Sequence, residues 1–433
     1  MMTDLQTNNY ARRLLVELFV QFEADHNWFQ DEECGTVLDL MNRLEVEIAR
    51  GFALLDEGQE LPADMRPLVK LRALDRFLKE STGFQVTGLP AQVTLEGDRR
   101  FYVYRRPLGL RQPSIQGQMG GHLRNWVAHH WVIPEKLYGY SVEIVRPTQF
   151  LISKFEALRQ RRELLRVAIY HFEEGVEIVW HENLLPHLQA VDLKEPEKQW
   201  NRVERLLERA LQQRVHVLVL PELTVTPALR RNIQHWLVKH LGRHSLLLVL
   251  PGSFHEADSS RPSEVFNRTQ LLDSTGQVVM DHSKITSFGR IESFEHIRLG
   301  KRISLLPLPI GLMATPICLD FCQSDHPIRE IWKALGPEWL LVPAYGNQSS
   351  VNAHRAAAKD LKISHGSRTV LANQHPRGEA PARGFIGDPP SESTPQNPDE
   401  QPAEQADAFQ VEELRIWPDE TPGGNKSGPG WVN

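Results

Sequence analysis

The stretch Val215-His-Val-Leu-Val-Leu-Pro-Glu222 runs from a series of aliphatic residues into a proline and a single carboxylate. An earlier apolar run, residues 167–172 (VAIYHF), has the same strand-like composition. Between these two runs, apolar side chains recur at the spacing of one helix face: Trp200, Val203, Leu206, Leu207, Ala210 and Leu211. A strand, a helix and a strand in this order predict a layered α/β domain that begins near Leu165.

Further apolar runs continue this pattern toward the C-terminus. They are residues 246–250 (LLLVL), 278–280 (VVM), 311–317 (GLMATPI), 339–343 (WLLVP) and 369–373 (TVLAN). Short, continuous apolar runs that are rich in β-branched residues are typical of strands buried on both faces. We therefore expect these runs to form core strands of the same domain.

Three of the runs lead into one reactive side chain each: Glu222, Lys284 and Cys318. Loops at the ends of strands in layered α/β folds converge on one point, so the three groups are candidates for one site. Each has a common structural explanation when it is taken alone. A glutamate or lysine after a strand is usually solvated, and a cysteine in an apolar run is usually a small core residue.

Taken together, the order, spacing and flanking residues of these segments resemble the nitrilase superfamily of carbon–nitrogen hydrolases. The segments that carry the resemblance are residues 166–222 (its opening strand–helix–strand unit), 266–279 (FNRTQLLDSTGQVV, its lysine-bearing hairpin), 316–320 (PICLD, its nucleophile elbow), 339–344 and 370–374. The resemblance covers about residues 165–376. Several matched segments in the right order are more specific than any one of them.

The resemblance implies a thiol hydrolase in which Cys318 is the nucleophile, Glu222 the general base and Lys284 the cation that stabilises the oxyanion. The backbone N–H of Leu319 would be a second oxyanion donor, and the intermediate would be a thioester. Members that cleave nitriles usually have Trp-Glu after the cysteine, whereas this chain has Leu-Asp. An amide or carbamoyl-type substrate is therefore favoured over a nitrile, and no metal or organic cofactor is expected.

The family also has a second glutamate between its lysine and its cysteine. Glu292 and Glu295 both lie there, and the distance to Gly300 favours Glu295. Asp320 matches an aspartate for which a supporting hydrogen-bond role is expected, and Cys322 is interpreted as structural. Ser364 stands where the family has a glutamate, so we expect the support around the site to be altered.

The resemblance predicts a four-layered α-β-β-α sandwich over residues 165–387. Residues 1–160 are interpreted as a small accessory module, mostly helical with some strand, that binds another protein and carries no chemistry. Its His122, His129 and His130 lack partners at metal-site spacing. Residues 388–433 contain eight prolines, ten acidic and two basic side chains, which predicts a disordered acidic tail. Within this tail, residues 409–417 (FQVEELRIW) either complete the sandwich, or its edge is covered by the accessory module or another subunit.

Composition and charge bear on whether the chain is a nucleic-acid-binding, secreted or membrane protein. The net charge is −6; residues 388–433 alone carry −8, which leaves the rest of the chain near neutral at +2, so there is no net basic footprint for nucleic acid. No stretch has the apolar length of a signal peptide or a membrane span. The three cysteines, Cys34, Cys318 and Cys322, are read as thiols of a reducing compartment, and a cytoplasmic location is expected. The resemblance further implies a homodimer or a larger assembly.

Two alternatives share this fold. In the first, an amine instead of water opens the thioester, which makes the protein an amide-forming acyltransferase. In the second, the domain is a catalytically weak interaction scaffold, in the manner of nitrilase-like domains that accompany some bacterial defence enzymes acting on nucleic acid. The intact set Glu222, Lys284 and Cys318 favours catalysis, because a scaffold has no physical need for all three groups.

Overall fold

The structure is a computed structural model, and it describes residues 2–24, 37–81, 91–106, 127, 129–184, 186–290, 293–324, 327–387 and 408–416. The helices are α1 (Asp4–Ala24), α2 (Val37–Asp56), α3 (Pro67–Ser81), α4 (Gln149–Gln160), α5 (Pro196–Gln212), α6 (Pro227–Lys239), α7 (Leu319–Cys322), α8 (Ile328–Leu335) and α9 (Gln348–His365). None of the helices in the described ranges is long and apolar enough to cross a bilayer.

The strands follow in chain order. They are β1 (Ala91–Leu95), β2 (Arg99–Arg105), β3 (His130–Pro134), β4 (Lys136–Leu137), β5 (Tyr140–Ile144), β6 (Leu165–His171), β7 (Ile178–Trp180), β8 (Ala190–Leu193), β9 (Val217–Val219), β10 (Leu248–Leu250), β11 (Ser253–Ala257), β12 (Val265–Asp273), β13 (Val278–Ser283), β14 (Gly289–Arg290), β15 (Ser293–Phe294), β16 (Arg302–Leu308), β17 (Gly311–Ala314), β18 (Trp339–Tyr345), β19 (Arg368–Gln374), β20 (Phe385–Gly387) and β21 (Ala408–Leu414).

Two seven-stranded sheets form the centre of the molecule. The first has the order β11-β12-β10-β9-β6-β21, with β13 also paired to β12, and the second has the order β20-β19-β18-β17-β16-β5-β4. Alternate side chains point to opposite faces of a strand. Val167 and Ile169 of β6 therefore face Leu341 of β18 and Val370 of β19 in a core between the sheets.

The opposite face of each sheet is covered by helices. Ala168 and Leu218 of the first sheet pack against residues of α5 and α6, among them Val203 and Ile233. Leu340 and Val342 of the second sheet pack in the same way against α8 and α9. The result is the predicted α-β-β-α sandwich.

The N-terminal module combines α1, α2 and α3 with the antiparallel sheet β1-β2-β3. The apolar face that the sequence indicates on α3 lies in its core: Leu68, Leu71, Leu74, Phe77 and Leu78. The buried carboxylate of Asp75 accepts the backbone N–H of His129 and lies 2.9 Å from Nδ1 of His130, which ties β3 to α3. His129 and His130 thus contact the module's own core.

The boundary between the module and the sandwich lies earlier than the expected residue 160. Strand β5 pairs in parallel with β16, so β4 and β5 belong to the second sheet. Leu151 and Phe155 of α4 are buried in the core between the two sheets. The sequence could not reveal this, because the partner of β5 is about 160 residues away and no local pattern names a strand's sheet.

The first sheet is completed from the C-terminal part of the chain. Strand β21 pairs antiparallel with β6 from Ala408 opposite His171 to Leu414 opposite Leu165. Arg166 and Glu413 form an ion pair of 2.9 Å across this edge. Of the alternatives for residues 409–417, completion of the sandwich is confirmed for the described part. Residues 388–407 and 417–433 of the predicted tail lie outside the described residues.

Candidate active site

The three predicted reactive residues lie at the ends of core strands of the two facing sheets. Glu222 follows β9, Lys284 follows β13, and Cys318 lies between β17 and the short helix α7. No more than 3% of any of the three is exposed. The sandwich therefore brings a carboxylate, an ammonium group and a thiol together in a site that is shielded from water.

The ammonium group of Lys284 lies between two carboxylates. Its Nζ donates to Oε1 of Glu222 at 2.9 Å and to Oε2 of Glu295 at 2.8 Å. Burial opposes the charge, but the two carboxylates and Cys318 outweigh it and hold the pKa of Lys284 well above its ordinary value. A buried ammonium needs a paired anion, and both glutamates stabilise the charged form of the lysine in this position.

Glu295 is held by four donors. Its Oε1 accepts from Asn267 and from His255, and its Oε2 accepts from Lys284 and from the backbone N–H of Phe288. Burial alone would raise the pKa of Glu295, but the Lys284 charge and the His255 hydrogen bond hold it well below its ordinary value. A carboxylate that accepts this many bonds stays ionised and cannot take up a proton easily.

His255 on β11 is fixed in one tautomer. Its Nδ1 accepts the backbone N–H of Ala190 at 2.8 Å, so the ring proton must be on Nε2, which lies 2.9 Å from Oε1 of Glu295. Ala190 starts β8, and the nearby Leu188 bridges to Glu295 through its backbone. The β7–β8 hairpin thus contacts Glu295 through Leu188 and orients His255, which donates to Glu295.

Glu222 has fewer partners than Glu295. Among the described residues, its carboxylate accepts two hydrogen bonds, from Lys284 and from Asn267 at 2.8 Å, and both fall on Oε1. Oε2 is left without a hydrogen-bond donor from this part of the chain. The N–H of Glu222 donates to the carbonyl of Ala344, next to Pro343, whose carbonyl accepts the N–H of Cys318, so Glu222 and Cys318 contact adjacent residues of β18. The charge of Glu222 contributes to raising the pKa of Cys318.

Cys318 lies on a strained turn. Its backbone has φ 46° and ψ −110°, a conformation that residues other than glycine rarely adopt and that costs about 1–3 kcal/mol. The Cys318 N–H donates to the carbonyl of Pro343 at 2.9 Å, and Sγ lies 4.0 Å from the carbonyl oxygen of Tyr345. Burial and the charge of Glu222 raise the pKa of the thiol, which Lys284 only partly offsets. The sulfur is therefore protonated at neutral pH.

The elbow also provides a free donor. The N–H of Leu319, at the start of α7, donates to no group among the described residues. The first N–H groups of a helix have no partner within the helix and are available to an anion. This N–H belongs to the peptide group that links Cys318 to Leu319, the group that the sequence resemblance implies as an oxyanion donor.

Asp320 fastens the lysine loop to the elbow. It accepts the backbone N–H groups of Ile285 and Thr286 at 3.0 and 2.9 Å, and the Thr286 hydroxyl at 2.7 Å. His282 on β13 lies 3.0 Å from its second oxygen. These bonds fix the positions of Lys284 and Cys318 relative to each other, which is a supporting role.

The remaining predicted residues make no hydrogen bond to Glu222, Lys284 or Glu295 where the structure describes them. Glu292 and Cys34 are outside the described residues. Ser364 donates its hydroxyl to the carbonyl of Asp360 within α9. Cys322 is half-buried. Within the described ranges, no group of three His, Cys, Asp or Glu side chains is arranged to hold a metal ion.

Sequence reasoning missed two polar residues of the site. The sequence places Asn267 in the lysine-bearing hairpin without giving it a role, and it does not single out His255. The hairpin pattern contains one usable signal for Asn267, because residues equally far from the turn lie opposite each other. In the structure Asn267 is the cross-strand neighbour of Lys284, whose N–H donates to its carbonyl at 2.8 Å. For His255 there was no such signal, because its partners Ala190 and Glu295 are distant in the sequence.

No protein-family model matches the chain, and no curated protein matches it. Among solved structures, a mutant amidase from Nesterenkonia sp. AN1 that shows covalent addition of the acetamide moiety of fluoroacetamide at its active-site cysteine is 15% identical, with a TM-score of 0.38, over 49% of this chain and 78% of that chain. Another mutant of that amidase, in complex with butyramide, is 16% identical with the same TM-score over 49% and 78%. Saccharomyces cerevisiae Nit3, a member of branch 10 of the nitrilase superfamily, is 14% identical with a TM-score of 0.39 over 52% and 83%.

The fold assignment rests on the chain's own architecture. Two mixed sheets face each other between two helical layers, and the reactive side chains converge at the ends of β9, β13 and β17. The segments that resemble the nitrilase superfamily in sequence are the segments that build this arrangement. The strands and helices described between residues 136 and 387, together with the edge strand β21, form the α-β-β-α sandwich that the resemblance predicts.

Proposed function

We propose that this protein hydrolyses a carbon–nitrogen bond of a small amide or carbamoyl-type substrate through a thioester on Cys318. One observation carries the proposal. The buried thiol of Cys318 lies on a strained turn, and the backbone N–H groups of Cys318 and Glu222 donate to the adjacent carbonyls of Pro343 and Ala344, which brings the two residues together. Lys284 donates to Glu222, and neither Oε2 of Glu222 nor the N–H of Leu319 has a partner among the described residues. These are the nucleophile, base and oxyanion donors that acyl transfer requires.

In the first step, Sγ of Cys318 attacks the substrate carbonyl carbon while Oε2 of Glu222 takes the thiol proton. Proton removal has to accompany the attack, because the raised pKa of Cys318 leaves the resting sulfur protonated. The negative charge that develops on the carbonyl oxygen is stabilised by the Lys284 ammonium and the Leu319 N–H. Both donors act strongly because the site excludes water.

In the second step, Glu222 returns the proton to the nitrogen of the tetrahedral intermediate. The carbon–nitrogen bond breaks, the amine or ammonia leaves, and a thioester remains on Cys318. Glu222 then takes a proton from a water molecule whose oxygen attacks the thioester, and the thiol is restored with that proton. The net reaction consumes one water and yields one acid and one amine.

Glu295 has a different task in this scheme. Because four hydrogen bonds keep it ionised, it cannot exchange protons with substrate. Its charge holds Lys284 as an ammonium group and fixes its direction. Glu222 can then be proton-transfer active without the lysine losing its counter-charge.

Mass spectrometry of the intact protein tests this proposal. Wild type, Glu222→Gln and Cys318→Ala are incubated with an activated acetate ester, and separately with a panel of small amides and carbamoyl compounds. Glu222→Gln removes a charge that raises the pKa of Cys318, so the thiolate fraction supported by Lys284 can still react slowly with the activated ester. An acetyl adduct at Cys318 should therefore accumulate in Glu222→Gln, turn over in wild type and be absent in Cys318→Ala. Cys34→Ser is the matched thiol control and should behave as wild type.

The amide panel completes the test. Ammonia or amine release by wild type, with loss in both site variants, supports hydrolysis. Faster consumption of the thioester by added amines than by water would identify an acyltransferase instead. An unacylated Cys318 together with no release from any compound would contradict catalysis and favour the scaffold alternative.

A further inference from the structure

A buried histidine lies directly behind the nucleophile elbow and takes no part in the steps above. His354 is on α9. Asn347 caps the N-terminus of this helix by accepting the Ser350 N–H, and Gly366 caps its C-terminus with φ 68°. The ring is fully buried. Its Nδ1 lies 2.7 Å from the carbonyl oxygen of Ser350, and its Nε2 lies 3.2 Å from the carbonyl oxygen of Cys318.

These two acceptors bear on the protonation of the ring. A carbonyl oxygen can only accept a hydrogen bond, and a neutral imidazole has one N–H. A neutral ring would therefore leave one nitrogen lone pair facing a carbonyl lone pair in a buried site. An imidazolium donates to both carbonyls, whereas a neutral ring donates to only one of them and has only the weak donor of the Cys322 thiol for its other nitrogen.

The surroundings favour the charged form. Burial opposes it, but the hydrogen bond and charge of Cys322 and the bonds to the Ser350 and Cys318 carbonyls outweigh burial and raise the pKa of His354 above its ordinary value. Cys322 on α7 is the titratable group that contacts the ring among the described residues, and Phe321 lies beside it with ring centroids 6.1 Å apart.

We propose that His354 is a positioning residue that remains an imidazolium in the working enzyme and polarises the peptide group between Cys318 and Leu319. The inference rests on the proposed function, in which the Leu319 N–H is an oxyanion donor. The carbonyl oxygen that His354 contacts and the N–H of Leu319 belong to the same peptide group. A charged donor on the oxygen draws electron density from the amide nitrogen, so the N–H becomes a stronger donor.

The benefit should appear in kcat. The oxyanion exists only in the transition state and the tetrahedral intermediate, so a stronger Leu319 N–H stabilises these states more than the bound substrate. A residue that merely packed behind the elbow would instead change stability or KM.

Nuclear magnetic resonance tests the protonation without any turnover. In protein labelled with ¹⁵N at histidine and leucine, the His354 ring, assigned by its loss in His354→Gln, should show two N–H groups at pH 7.5 and lose one only at higher pH. The Leu319 amide shift should change over the same pH range. A ring that is neutral at pH 7.5, or a Leu319 amide that ignores the ring titration, would overturn the proposal even if the protein hydrolyses amides.

Kinetics with two variants separate the charge from the hydrogen bond. In His354→Gln the amide nitrogen can replace Nε2 and still donate to Cys318, whereas in His354→Asn it can replace only Nδ1. We expect kcat to fall about threefold in His354→Gln and about tenfold in His354→Asn, with little change in KM. The kcat of wild type should fall as pH rises through the His354 pKa, and that step should be missing in His354→Gln.

His240→Gln is the matched control. His240 makes the same contact with a carbonyl four residues earlier in its helix, from Nδ1 to Trp236 at 2.9 Å, but it lies at the end of α6 and not behind Cys318. It should keep the wild-type kcat and pH profile. A kcat in His354→Asn equal to that of wild type would refute the role of His354 alone. A wild-type protein that reacts with no ester and cleaves no amide would refute the proposed function. In that case the resonance data would still decide the protonation of His354.

Discussion

The surroundings of Glu222 and Glu295 differ although both carboxylates bind the same lysine. Glu295 accepts four hydrogen bonds that involve both of its oxygens, whereas both bonds to Glu222 fall on one oxygen. A carboxylate surrounded by donors is held ionised, and one with a free oxygen beside a thiol can take up a proton. In the function proposed above, it is this difference in the number and direction of donors, rather than the residue type, that makes Glu222 the candidate base and Glu295 the candidate counter-charge.

The largest expected effect comes from replacing the base. Glu222→Gln keeps the shape and one acceptor oxygen but cannot take a proton, so kcat for amide hydrolysis should fall by about 10³–10⁴-fold. Steady-state turnover measured beside urea unfolding checks that the loss is chemical. A decrease of less than tenfold in a stably folded variant would mean that another group removes the thiol proton.

Replacing the counter-charge should affect folding as well as rate. Glu295→Gln leaves Lys284 with one carboxylate and should lower the free energy of unfolding by about 3 kcal/mol, with a smaller loss of kcat, about 10²-fold. Urea unfolding and turnover measured on the same sample compare the two effects. If Glu295→Gln lost activity as completely as Glu222→Gln without loss of stability, the two roles would have to be exchanged.

The pH dependence of stability gives a second test of Glu295. Its folded-state pKa lies far below the ordinary value, so its contribution to stability is present above the unfolded-state pKa, about 4.3, and is lost as the pH falls toward the folded value. The difference in unfolding free energy between wild type and Glu295→Gln should thus be constant from about pH 6 to 8 and should shrink below about pH 4. A difference that stayed constant down to pH 3 would show that Glu295 acts by shape and not by charge.

A smaller effect is expected from the histidine that holds Glu295. His255→Phe removes the bond to Glu295 and leaves the Ala190 N–H without its acceptor, so kcat should fall about tenfold and the unfolding free energy by about 1–3 kcal/mol. Turnover and urea unfolding measure both. Unchanged kinetics would indicate that Lys284, Asn267 and the Phe288 N–H suffice to position Glu295.

The smallest effect should come from the neighbouring glutamate. Glu292→Gln makes the same chemical change three residues away, and we expect its kcat and unfolding free energy to stay within experimental error of wild type. The measurement is the direct control for Glu295→Gln. A loss comparable to that of Glu295→Gln would show that both glutamates serve the site.

Much of the site could be predicted because its residues stand at fixed points of a repeating pattern. Glu222, Lys284 and Cys318 each follow an apolar run, and strand ends in a layered fold meet at one edge. The distance to Gly300 favours Glu295 over Glu292, and the structure places Glu295 on Lys284, whereas Glu292 lies outside the described residues. The N-terminal boundary was wrong because β5 joins the second sheet through a strand far along the chain.

The sequence by itself determined the layered α/β class, the order of the core strands along the chain and the three groups available for chemistry, since local periodicity and strand-end position are written in neighbouring residues. Only the tertiary structure decided which carboxylate keeps a free oxygen, that His255 is locked by Ala190, and that His354 faces the Cys318 carbonyl. These properties depend on hydrogen bonds between residues that are distant in sequence, and the direction of such a bond exists only once the chain is folded.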